Sequence, residues 1–263
     1  MIEKLNNPIR IFSWSIIFLT FAFLINNILN HWYDYPGVDK LFGSYNFFFE
    51  SNKELSSNEF YKSWIQFLIY LIAILISFIY VKLYNQVEIN KDSEYLINFS
   101  TYIIRSCFWG ALIIGLVDMI LSFLRVEDLL IPLFGESLGM NLGKSVFRGT
   151  YIHFPLIILA FIIGYFTKTL GFFWLAFLVV IAEFQIVVAR FIFSYEQTFM
   201  GDLVRFWYGS LFLYSSSYAL LKEGHVRVDI LYTNFSEKGK AWSNLLGSLL
   251  LGIPICATIL LRG

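Results

Sequence analysis

The chain is poor in charge. Lys, Arg, Asp and Glu make up 14% of its 263 residues, where a water-soluble domain usually carries about 25%. That is too little to keep a soluble surface wet, and it also excludes a disordered chain or a solvated coiled coil. Neither sign is in excess, with 19 basic and 19 acidic residues, so no nucleic-acid partner is expected. Cysteine is scarce: Cys107 and Cys256 sit far apart in apolar runs, which excludes a disulfide scaffold and makes them small apolar packing residues. His31, His153 and His225 lie in separate segments with no second ligand at a suitable spacing, so neither a zinc nor a haem site is expected. His-Glu-x-x-His is absent. The stretch from Gly139 to Ser145 imitates a phosphate loop, but three residues rather than four separate Gly139 from Gly143 and no buried strand precedes it. We expect no cofactor and no enzyme; His153 or His225 as catalytic groups would lack a neighbouring nucleophile. No internal repeat is visible, so an inverted-repeat transporter has no support.

What is abundant is apolar surface. Hydrophobic residues reach 58% and aromatics 20%, with a mean hydropathy of +0.67. A bilayer core takes roughly 20 apolar residues of helix, and such runs recur at about Ile9–Leu29, Ser63–Tyr84, Thr101–Leu124, Tyr151–Phe166, Phe172–Phe193, Arg205–Leu221 and Trp242–Leu261. The expected fold is therefore all-α and polytopic, with about seven membrane helices. The fourth run is short and carries His153 and Pro155; we read it as a span rather than one arm of a hairpin. Ser56 and Glu59 match a capping box ahead of the second run.

The first run follows Lys4 and Arg10 but lacks a small-residue cleavage site, so it reads as an uncleaved anchor. The basic stretch Lys222–Lys240 places the N-terminus in the cytoplasm by the positive-inside rule. The aromatic, acidic loop His31–Tyr61 is then periplasmic, an interfacial belt or a contact surface for a partner. The segment Arg125–Thr150 mixes apolar clusters with Glu127, Asp128, Glu136, Lys144 and Arg148; it is too polar to span and reads as a helix lying in the interface. The chain stops at Leu261-Arg262-Gly263, directly after an apolar run, so we expect a further helix to be missing.

Ionisable groups inside spans are costly and need partners. Glu183 and Arg190 lie seven residues apart, on one side of the fifth span. Asp118 and Arg125 repeat that spacing in the third, with Arg105 towards its other end. An ion relay in a self-sufficient secondary transporter could use Glu183 and Arg190. The plainer expectation is that the arginines snorkel to the interfaces while Glu183 and Asp118 pair across helices.

The most specific segment is Gly224-His225-Val226-Arg227-Val228-Asp229, preceded by Ser217-Tyr218-Ala219-Leu220-Leu221 and followed by Tyr232. By its chemistry alone it is a charge-balanced loop after a helix stop at Gly224. This run resembles the signature of the small membrane subunit (DctQ type) of tripartite ATP-independent periplasmic (TRAP) transporters. Val188–Phe193 is similar to the end of that family's first helix, Asp202–Trp207 to the start of its second and Trp242–Pro254 to its third. The resemblance divides the chain into an N-terminal membrane extension, residues 1–168, and a small-permease-like segment, residues 169–263, which lacks the family's fourth helix. The extension resembles the enlarged small subunits of mannitol/chloroaromatic-type systems. The resemblance implies a scaffold in the bacterial inner membrane. Its partners would be a large permease subunit, a periplasmic solute-binding protein and membrane lipid, and the system would import an organic acid or related solute on an ion gradient. The subunit-interface residues it implies are Gly224 to Asp229 and Tyr232.

Overall fold

The computed structural model describes residues 2–44, 56–168, 172–221 and 232–262. Among them every regular element is helical and no strand occurs. The chain is an all-α, polytopic membrane protein. Among the described residues, six helices are long and apolar enough to cross a bilayer: Asn7–Tyr33, Ser57–Leu83, Ile89–Val126, Ser145–Phe166, Phe172–Phe193 and Glu237–Leu261. The remaining expected span is a 24-residue helix, Thr198–Leu221, whose Asp202, Arg205, Ser210, Ser215, Ser216 and Ser217 leave it less apolar than those six. Two compact units are present, Met1–Ser100 and Thr101–Gly263.

In the first unit, α1 (Ile2–Tyr33) and α3 (Ser57–Leu83) run antiparallel, with the short α2 (Val38–Ser44) folded against α3. The face that α3 buries is polar or small: Ser63, Gln66, Ala73, Ser77 and Val81. Its Ile72 and Leu75 are instead more than half exposed. This inversion of the soluble pattern is what lipid requires, because apolar burial between helices gains nothing there and hydrogen bonds with close packing set the register. Ser15 and Ser77 share a 2.6 Å hydrogen bond, and Gln66 Nε2 donates to Asn30 Oδ1 at 2.6 Å. Gln66 Oε1 accepts from the backbone N–H of Gly37 at 2.9 Å, while Ser63 Oγ donates to the Gly37 carbonyl at 3.1 Å. Gly37 sits at φ +96°, and a Cβ there would strike the Asp39 carboxylate, so this turn requires glycine. The Ser56–Glu59 capping box forms in both directions. Replacing Ser56 by Ala should lower thermal stability in detergent by about 1 kcal/mol; no change would mean the α3 start is held by something else.

The second unit contains the rest of α4 (Ile89–Val126), a 38-residue helix about 57 Å long, nearly twice a hydrocarbon core of ~30 Å. It carries three short helices, α5 (Leu130–Phe134), α6 (Glu136–Leu142) and α7 (Ser145–Arg148). These replace the one interfacial helix expected over 125–150. Leu130 and Leu142 bury against Leu121, while Leu133, Met140 and Val146 stay exposed. A Cβ on Gly139 would lie 2.8 Å from the Leu130 carbonyl, so α5 and α6 can meet only at a glycine.

After α7 comes a π turn, Gly149–His153, and then α8 (Phe154–Phe166), so the expected fourth span is one helix that starts earlier than Tyr151. The same device recurs where α11 (Glu237–Gly247) passes through a π turn, Ser248–Gly252, into α12 (Ile253–Arg262). Pro155 and Pro254 each sit two residues past the π turn. A proline ring clashes with the carbonyl four residues earlier, and the wider turn removes that conflict. The main core joins α4 to α9 (Phe172–Phe193) and α10 (Thr198–Leu221) through Phe108, Leu112, Leu175, Ala182, Val204 and Trp207. Cys107 and Cys256 are free thiols.

Candidate functional site

The most concentrated polar chemistry of the second unit lies in a cleft of about 450 Å³. One wall comes from α4, with Asp118, Ser122 and Arg125. A second comes from α7 and the π turn, with Arg148 and His153, and a third from the start of α10, with Thr198, Phe199 and Asp202. The seven-residue spacing puts Asp118 and Arg125 on one face of α4, as expected, yet they do not pair with each other. Asp118 accepts from Arg148 Nη1 at 2.9 Å and lies 3.3 Å from His153 Nε2. The partner of Asp118 is thus within this chain, supplied by a segment expected to lie flat in the interface. Arg148 is 8% exposed, and its Nε has no hydrogen-bond partner among the described residues. The π turn displaces His153 relative to a regular helix, and His153 faces Asp118 from within that turn.

Two of the other intramembrane groups, Arg105 and Arg190, serve helix ends. Arg105 does not snorkel: its Nε donates to the Gly164 carbonyl at 2.7 Å, and Tyr102 and Trp109 reach the Phe161 carbonyl and the Thr167 hydroxyl at 3.1 Å and 3.0 Å. Together they fasten α8 to α4 where Gly164 passes so close that a Cβ would lie 3.0 Å from Ser106 Cα. Arg190 turns past its helix end to Glu196 at 3.4 Å, both exposed. Glu183 is exposed on α9 and has no hydrogen bond or ion pair among the described residues. Beyond the helix ends, the Tyr195 hydroxyl donates to the Glu127 carboxylate, and that bond holds the phenol above its usual pKa.

Gly224, His225, Val226, Arg227, Val228 and Asp229 lie outside the described residues. Tyr232 opens a 3₁₀ turn, Tyr232–Asn234, and its hydroxyl accepts from Asn244 Nδ2 at 2.9 Å, tying the turn to α11.

Sequence reasoning missed the principal charged site of the first unit. Arg10 and Asp92 are 2% and 5% exposed. Arg10 Nε donates to Asp92 Oδ2 at 2.6 Å, and its Nη1 donates to the Tyr84 carbonyl at 2.9 Å. Trp14 Nε1 donates to the same Asp92 oxygen at 3.1 Å, with its ring 4.6 Å from that of Tyr80. One guanidinium therefore ties α1, the end of α3 and the start of α4. Arg10 reads in sequence as a flanking cation, and its separation of 82 positions from Asp92 hides the pairing. The available signal was an acidic residue in a first helical turn.

Residues 177–263 match the family model described as Tripartite ATP-independent periplasmic transporters, DctQ component. No curated protein and no solved structure matches the chain. The last third is thus similar to the DctQ component of tripartite ATP-independent periplasmic transporters, and additional helices precede it. The matched segment packs into the second unit: Trp207 on α10, 2% exposed, donates its indole N–H to the Ala111 carbonyl of α4 at 3.2 Å.

Proposed function

We propose that this chain is the scaffolding small subunit of a TRAP-type importer in the bacterial inner membrane, with its N-terminus in the cytoplasm. The match over residues 177–263 carries the reading. In this reading the chain braces a large permease subunit. A periplasmic binding protein delivers an organic acid or related solute, and an ion gradient drives uptake. The side chains support a bracing role: several ionisable groups inside the helices hold helix to helix, Asp118 to Arg148, Arg105 to the α8 end and Arg10 to Asp92. The alternative, a self-sufficient transporter using Glu183 and Arg190, has less to support it, since Arg190 engages Glu196 on an exposed helix end. We assign Gly224 to Asp229 and Tyr232 to the subunit contact, and residues 169–263 to the small-permease-like segment.

The test is co-purification in mild detergent. A larger multispanning membrane protein should come down with the chain, and uptake should need both proteins together with a binding protein. Replacing His225, Arg227 or Asp229 by Ala should cut the recovered partner several-fold and leave the solute range of residual uptake unchanged. Solute-specific transport by this chain alone in vesicles would sink the proposal.

A further inference from the structure

The cleft around Asp118 has a charge and a shape that helix bracing does not use. Asp118 is matched by Arg148 at 2.9 Å, and Asp202 by Arg205 at 3.6 Å. Arg125, exposed on the cleft wall, has no ion-pair partner among the described residues, so its guanidinium is an unmatched cation there. Two further features add to it. Arg148, more than nine-tenths buried, has an Nε–H with no acceptor, and a buried donor without a partner costs free energy until one arrives. The 24-residue helix α10 begins at Thr198, which lines the cleft with Phe199, so its free N–H groups and positive dipole end bear on the same space.

The remaining wall is apolar, formed by Ile114, Met119, Leu203 and Phe206. A small soluble anion has no use for such a wall, whereas an amphiphile needs both kinds.

We infer that this cleft binds one anionic phospholipid, with its phosphate diester between Arg125 and the α10 N-terminus and the first part of an acyl chain along Ile114, Met119 and Phe206. The unmatched Arg125 guanidinium favours a net anionic headgroup over a zwitterionic one. This inference does not depend on the transporter reading, because every group it uses is on this chain.

The full chain, delipidated in mild detergent, is titrated with phosphatidylglycerol, with phosphatidylcholine of the same acyl chains, or with glycerol phosphate, and adducts are counted by native mass spectrometry. One phosphatidylglycerol should bind at least about tenfold more tightly than phosphatidylcholine, and Arg125→Gln should remove that preference. Arg125 is exposed, so the variant should fold, and an unchanged thermal transition checks this. Arg148→Lys, which keeps the charge and loses the fork, should weaken binding several-fold. Equal binding of the two lipids, or an Arg125→Gln chain that still prefers phosphatidylglycerol, overturns the inference. So does displacement of the lipid by millimolar glycerol phosphate, which would make the site one for soluble anions.

Discussion

Replacing Asp92 by Ala should destabilise the chain by about 3–5 kcal/mol, the cost of leaving a buried arginine without its counter-charge. Arg10 cannot relieve the loss by turning outward. It is 2% exposed, and its Nη1 is committed to the Tyr84 carbonyl at the end of α3, which also accepts the Val87 N–H. Trp14 loses its acceptor in the same substitution. Arg10→Ala should cost a similar amount, because it leaves a buried carboxylate instead. The double replacement Arg10→Met with Asp92→Leu should recover most of the stability, since an apolar pair of similar volume often serves as well as a buried ion pair. Thermal unfolding of the purified chain in detergent reads all three. A double variant no better than the singles would show that the pair contributes net stability beyond avoiding a stranded charge. A single variant within 1 kcal/mol of the parent would show that water reaches the site.

The same pair shows where sequence reasoning stops. The existence and type of the helices were legible, because runs of about 20 apolar residues have one stable outcome in lipid. The capping box before α3 was legible too, because its two residues are three apart and act locally. Partnerships across the chain were not. Asp118 finds Arg148 and His153, 30 and 35 residues away, and no spacing rule within one helix points there. Helix ends were also obscure: α1, α4 and α9 are followed by Asp34, Asp128 and Ser194 at positive φ, where glycine is the usual stop signal. Arg105 was expected to snorkel on the rule for isolated helices. It stays inside because Gly164 brings a carbonyl of α8 within 2.7 Å, a contact that exists only after packing. The family resemblance read from the chemistry of residues 217–232 and their flanks agrees with the match over 177–263. That loop carries most of the recognition, yet most of it lies outside the described residues.

The family-matched segment cannot be moved off the helix that precedes it without a large cost, and Gly115 measures this. A Cβ on Gly115 would strike the Trp207 indole, with its Cε2 at 2.8 Å. Gly115→Ala must therefore push a buried ring out of place and break its bond to the Ala111 carbonyl. Overpacking of this kind costs about 1–3 kcal/mol. Trp207→Ala removes the ring altogether. In a soluble core a Trp→Ala change costs about 3–5 kcal/mol. Here lipid can solvate the exposed remainder, so the cost should fall towards the lower end, about 3 kcal/mol, set by lost packing and the lost second hydrogen bond on the Ala111 carbonyl. The two changes should not add. Once the indole is gone, the alanine at 115 has room, so the double variant should be no less stable than Trp207→Ala alone. Additive losses in thermal unfolding would place the Gly115 requirement somewhere other than Trp207. If α4 and α10 form one bracing surface, both single variants should also lower recovery of the large membrane partner in co-purification. A partner bound at parental levels by destabilised chains would mean that it grips α9 to α12 without help from α4, and the added N-terminal helices would then need a role outside the brace.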